Sequence, residues 1–193
     1  MRHKSLRTMM CPIARTLDRV GEWWTMLILR DAFAGFTRFE QFQLSLDIAP
    51  NMLTRRLQTL VKSGLLERRP YSDRPPRHEY VLTEKGRDLW PVLVTLAAYG
   101  NRHFAEHGVA THLVDRATGK PVDVVVADKS TGRILDQKHF KYSPGPRADA
   151  SLKLRIRYAD ARQEGLDGRT EWEAFAEARK ANGKRNRLIS RRI

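Results

Sequence analysis

Cysteine is almost absent: Cys11 is the single one in 193 residues. That excludes an intramolecular disulfide framework and any structural zinc site of the multi-cysteine type. Long apolar runs are missing too, since none approaches the roughly 18 residues a membrane-spanning helix needs. The opening stretch MRHKSLRTMMCPIAR has no apolar segment fit for a signal peptide, so a cytoplasmic chain with no membrane partner is expected. No repeat period is visible. Catalytic spacing is equally scarce. His103 and His107 stand four apart, but Phe104 fills the place of the glutamate that a zincin motif requires, and His112 follows without a carboxylate. Only His3 lies near Cys11 in the chain. No enzyme activity, metal or cofactor is therefore expected.

Acidic residues are the minority partner in the charge balance. Lys plus Arg number 36 against 22 Asp plus Glu, a formal net charge of +14 with a pI near 10.5. Such an excess points to a polyanion, with nucleic acid first. From Arg179 to Ile193 seven cations occur with no acid, so half of the net charge sits in fifteen residues. That pattern suggests a basic arm adding affinity without base reading.

The apolar spacing sets out the order of elements. Ile13, Leu17 and Val20 mark a first helix ending at Gly21. WWTMLILRDAF (23–33) is apolar on nearly all sides and suits a buried helix, and Phe39, Phe42 and Leu46 mark a short third one. A turn over 46–49 leads to Pro50, which fits the first position of a helix where its missing N–H costs nothing. Leu53, Leu57, Leu60 and Val61 form the apolar stripe of that helix, with Gly64 placed to end it in a left-handed conformation. Asn51, Thr54, Arg55, Gln58 and Lys62 occupy the opposite face. LLERRPY and RHEYVLT follow as a β-hairpin, with residues 72–76 as its loop. A long helix runs from Glu84 towards Phe104, and Pro91 predicts a break near residues 88–90.

Beyond Gly108, two Thr-Gly turns flank the β-branched run Val122–Val126, which suggests a β-rich appendage of two or three strands. KYSPGPRADA reads as a linker, and two charge-rich segments with helical spacing follow. The expected class is α+β, mainly helical. Its parts are a winged helix-turn-helix domain (1–108), a β-ribbon appendage (109–147) and a basic tail with helical spacing (148–193).

Helix, short helix, turn, helix with a polar face and hairpin is the order of a winged helix-turn-helix. A recognition helix must bury one stripe and offer directional side chains to base edges, and residues 50–63 do both. Asn51, Thr54, Arg55 and Gln58 are the candidate base-contacting residues. Arg68, Arg69, Arg74 and Arg77 crowd the hairpin at 66–83, where cations would meet phosphates. The expected partner is double-stranded DNA, read sequence-specifically; a sequence-indifferent binder relying on the tail is the competing reading.

The stretches CPIARTLDRVGEWWTMLILRDAFAGFTRFEQFQ and MLTRRLQTLVKSGLLERRPYSDRPPRHEYVLTEKGRDLWPVL resemble the HxlR-type winged helix-turn-helix regulators of the MarR-like group, over residues 11–107. The resemblance rests on Cys11-Pro12-Ile13, Gly21 with Trp23, Arg38-Phe39, Met52-Leu53-Thr54, Pro75-Pro76-Arg77 and Glu79-Tyr80. It implies a bacterial homodimeric DNA-binding regulator paired through its first and last core helices, and repression is the expected sign of its action. Two positions depart from the family pattern. Glu22 stands where a Lys or Arg commonly precedes the tryptophan, and Ala49 where a Ser commonly caps the recognition helix. Some relatives carry a C-terminal zinc ribbon, which the appendage resembles in outline without its cysteines, as a metal-free descendant would. In several relatives a cysteine at the position of Cys11 senses thiol-reactive compounds. Here Arg7 and Arg15 are placed to lower its pKa, and a small residue packed at the dimer interface is the other reading. A small-molecule or thiol-reactive inducer is a further expected partner.

Overall fold

In a computed structural model describing residues 6 and 9–189, with side chains through residue 180, the helical order follows the apolar spacing closely. His3, Arg7, the side chains of Lys184, Arg185 and Arg187, and the residues Arg191 and Arg192 lie outside the described set. The elements are α1 (Pro12–Val20), α2 (Trp23–Phe33), α3 (Phe39–Leu46), α4 (Pro50–Lys62), β1 (Leu66–Asp73), β2 (Pro76–Leu82), α5 (Glu84–Arg87), α6 (Trp90–His103), α7 (Ala150–Gln163) and α8 (Arg169–Ile189). The chain divides into two compact units, Thr16–Ile134 and Met1–Arg15 with Leu135–Ile193.

The core of the first unit is built where the apolar stripes of α2, α3 and α4 meet. Ile28, Leu29, Phe42, Leu53, Leu57 and Leu60 are fully buried, and Leu65 and Leu66 carry the core into β1. The turn between α3 and α4 demands a left-handed residue, and Asp47 supplies it at φ 47, one of the few side chains that tolerate that region. Ile48 then drops into the core. Pro50 opens α4 without a side-chain cap at Ala49, and Gly64 at φ 70 ends it, both as the sequence indicates.

The hairpin is longer than the sequence suggests. Residues 72, 73 and 76 belong to its ladder, which pairs Leu66 with Leu82 and closes with Asp73 opposite Pro76. Pro76 sits beside the turn, where a missing donor is tolerated. The Tyr80 N–H donates to the Thr37 carbonyl at 2.7 Å and Arg38 bridges Glu79, so the segment before α3 serves as a third, minimal strand.

Thr83 anchors the return from the wing. Its hydroxyl donates to the Gly64 carbonyl at 2.7 Å, and the same oxygen accepts the Gly86 N–H at 3.0 Å as the N-cap of α5. Gly86 is buried against the Leu65 carbonyl, leaving no room for a Cβ. Pro91 does break the long helix, leaving α5 as a single turn and α6 as the main element.

The region after Gly108 departs from expectation: instead of strands across Val122–Val126, the structure has two isolated bridges, Val114 with Pro121 and Ala127 with Ile134. Each closes a turn of the same pattern, DRATGK and DKSTGR. The side chains of Asp115 and Asp128 accept local N–H groups, and Gly119 and Gly132 are left-handed. Local carboxylate-to-backbone bonds thus satisfy groups that a ladder would otherwise pair. Those bonds, led by Thr118 at Asp115 and Thr131 at Asp128, hold both carboxyls below their ordinary range.

In the second unit, α7 and α8 pack on each other. Asp149 caps α7 by accepting the Leu152 N–H at 2.7 Å. Tyr158 meets Trp172 at 5.7 Å and lies over Gly168, whose φ of 66 turns the chain into α8. The backbone of α8 continues to Ile189, so most of the basic stretch expected as an arm has a helical backbone. Good helix formers such as Ala178, Arg179 and Lys180 favour this.

Gly86→Ala is expected to cost about 2–4 kcal/mol of stability, because its methyl must displace the backbone at Leu65. Urea unfolding measures it, and a loss under about 0.5 kcal/mol would mean that the junction yields freely.

Candidate nucleic-acid interface

Burial of one stripe of α4 leaves the other in solvent. Leu53, Leu57 and Leu60 are fully buried, while Asn51, Thr54, Arg55 and Gln58 are all exposed on the same helix. The structure thus brings the four residues singled out from the sequence onto one polar face. Thr54 is partly committed: its hydroxyl donates to the Pro50 carbonyl at 2.8 Å, which leaves its lone pairs and methyl to face outward. Arg55 and Gln58 have no such tie to a side chain among the described residues.

The wing arginines differ from one another. Arg69 is bound to Glu67 at 3.0 Å, which holds that carboxyl below its usual range and raises the guanidinium. Arg68 meets the His78 ring at 3.0 Å. Arg74 and Arg77 are exposed near the tip, where Ser72 closes the turn by donating to the Pro75 carbonyl. Arg38 stacks over Tyr71 with its guanidinium 4.7 Å from the ring centroid, tying the outer half of the wing to the start of α3.

The sequence reading passed over Arg56. It lies between the stripe and the polar face, and its guanidinium meets Glu22, at the N-cap of α2, at 2.9 Å. The Arg56 side chain is only 21% exposed, and its Nε has no partner among the described residues. The acidic residue at position 22 is therefore the counter-charge that lets an arginine sit half-buried on α4. The signal available was the departure itself: an acid in a place where a base is common calls for a base elsewhere.

Cys11 belongs to the other unit and directly precedes α1. The Ala14 N–H does most to hold the thiol below its ordinary value; burial opposes this, and the Ile13 N–H and the Arg155 guanidinium on α7 add to the lowering. Arg155 is thus a cation acting on the thiol from far away in sequence, while Arg7 lies outside the described residues. Among the described residues no group of three or more His, Cys, Asp or Glu is arranged to hold a metal ion. None of the described helices is long and apolar enough to cross a membrane.

Glu22→Gln is expected to lower stability by about 1 kcal/mol, since it leaves the half-buried Arg56 charge facing a neutral partner. Paired loss with Arg56→Met in a double-mutant cycle checks it, and additive losses would show the two side chains to be uncoupled.

The sequence profile of the HxlR-like helix-turn-helix family matches residues 19–108. An uncharacterized HTH-type transcriptional regulator of Mycobacterium tuberculosis is 39% identical over 141 residues, which is 72% of this chain and 89% of that one. Among solved structures, PA1374 of Pseudomonas aeruginosa, assigned as a transcription factor, is 51% identical with a TM-score of 0.56, covering 76% of this chain and all of that one. PA1607, with the same assignment, is 40% identical with a TM-score of 0.67, over 74% of this chain and 100% of its own. These regulators are not enzymes, and the geometry of α3, α4 and the wing is that of their DNA-binding unit. The chain belongs to the HxlR-like helix-turn-helix family of DNA-binding transcriptional regulators.

Proposed function

We propose that the protein is a cytoplasmic, homodimeric, sequence-specific repressor that lays α4 in the major groove and its wing along the backbone. The observation that carries this reading is the exposed row Asn51, Thr54, Arg55 and Gln58 opposite a fully buried leucine stripe. Asn and Gln side chains match adenine edges and Arg matches guanine, so the row has the chemistry of base reading. Arg69, Arg74 and Arg77 supply phosphate contacts, with Arg69 exchanging its bond to Glu67 for one to DNA. Exposed apolar side chains support pairing of two copies: Ile13 and Leu17 on α1, and Val92 and Tyr99 on α6. Large exposed apolar residues on neighbouring turns favour burial against a partner.

Cys11 acts in this reading as the sensor for a thiol-reactive inducer. Its lowered pKa raises the thiolate fraction near neutral pH, and that form is the nucleophile.

Arg55→Ala is expected to weaken binding to a site selected from random DNA by about 1–3 kcal/mol and to relax preference at one base pair. Quantitative gel shifts against selected and unrelated duplexes read both effects. An equal loss on both duplexes would reduce Arg55 to a phosphate contact, and a wild type without preference would favour the sequence-indifferent reading. For Cys11, diamide is expected to release wild-type protein from its site and to leave Cys11→Ser bound; identical responses would remove the thiol from the switch.

A further inference from the structure

The first unit contains a cavity that the DNA-binding reading does not use. It has a volume of about 590 Å³, inside the range of roughly 300–1,000 Å³ typical of small-molecule sites. Met26 and Leu27 of α2, Leu93 and Ala98 of α6, and Leu113 and Val122 of the segment after Gly108 give it apolar walls. That segment is held in place by Asn101, whose side-chain amide donates to the Thr111 carbonyl at 2.9 Å. The wall is therefore tied to the helix it faces.

At 100° per residue, Val94, Ala98 and Asn101 share one side of α6, while Val92 and Tyr99 lie on the other. Leu96, also in the lining, lies with Val92 and Tyr99, so the pocket reaches from the Val94 side of α6 to the edge of its outward apolar face.

Charge at the pocket is unbalanced. Arg30 is already engaged, with Nε and Nη2 on one carboxylate oxygen of Asp31 at 2.8 and 2.7 Å. Arg102 and His112 line the pocket with no side-chain partner among the described residues, and Asp123 is the single acid in the lining. An unpaired guanidinium beside an apolar cleft suits a ligand with an apolar body and one anionic end, because burial of the body lowers the dielectric around the pair.

We propose that this cavity binds a small amphipathic organic anion, its ring or chain between α2 and α6 and its acidic group at Arg102. The site stands independently of the proposed repressor role, and its test reads ligand alone.

The probe is 1-anilinonaphthalene-8-sulfonate, compared with N-phenyl-1-naphthylamine, the same body without the sulfonate. Titration of the full-length protein is expected to saturate at one sulfonate probe per chain with a rise in probe fluorescence. Ala98→Phe fills the cleft and is expected to weaken both probes at least tenfold. Leu113→Trp, in the loop wall and outside the helical core, repeats the blockade if the first variant folds poorly. Arg102→Gln is expected to weaken the sulfonate about tenfold, the equivalent of one good charge-assisted contact, and the neutral probe less than twofold. Unsaturable binding, or sulfonate affinity unchanged by both blocking variants, would overturn the site. Equal effects of Arg102→Gln on the two probes would overturn the anionic class.

Discussion

The wing and the recognition helix share one junction, and its close packing decides where both of them point. α4 ends at Gly64, β1 starts two residues later, and β2 returns to the same place through Thr83. A single hydroxyl there donates to one carbonyl and receives the N–H that starts α5, while Gly86 lies against Leu65 with no Cβ between them. Lys85 adds a donor to the Ser63 carbonyl at 2.6 Å. The carbonyls of Ser63 and Gly64, just past the end of α4, thereby hold the return from the wing. At its middle the hairpin is tied again through Tyr80 to Thr37, ahead of α3. Two fixed points on a twisted two-stranded ribbon leave its tip little freedom relative to α4, and so the placement of the wing beside that helix belongs to the fold.

How much of this was legible depends on how local the governing interaction is. Pro50 and Gly64 set the ends of α4, and Pro91 divides α5 from α6, because each acts on its own backbone. The polar face of α4 was readable from periodicity alone. The hairpin loop was drawn too long since the prolines that suggested it occupy the turn and the first ladder position beyond it. The Thr-Gly turns were located correctly, yet the strands between them were not: Asp115 and Asp128 bind their own loops, and β-branched residues alone do not make a ladder. Arg155 beside Cys11 was out of reach, since nothing in the linear sequence pairs such distant side chains, and Glu22 signalled a distant base without naming Arg56.

The helix α2 links several of these features without touching a base. Its N-cap holds Arg56, its middle is buried with α3 and α4, and its last turns carry Arg30 and the buried Asp31. A helix apolar on nearly every side is what a small three-helix core needs at its centre, and the polar groups it does carry sit at its two ends. Among the described residues Asp31 keeps one buried oxygen without a partner, a local cost that the tight bond from Arg30 to the other oxygen offsets in part.

The bond between Glu67 and Arg69 gives the wing a tethered counterion of its own. Salt in solution can dissociate from a guanidinium and disperse, but this carboxylate stays within reach at a fixed local concentration whatever the buffer. A phosphate must therefore outcompete it rather than merely arrive. Under the proposed DNA-binding role, a polyanion whose phosphates are badly spaced for the wing would meet a neutralised residue, while a duplex held on α4 would present its phosphate intramolecularly and compete better. In that role the acid would set a threshold on the wing, damping general attraction to polyanions and yielding the cation only to DNA held by the helix.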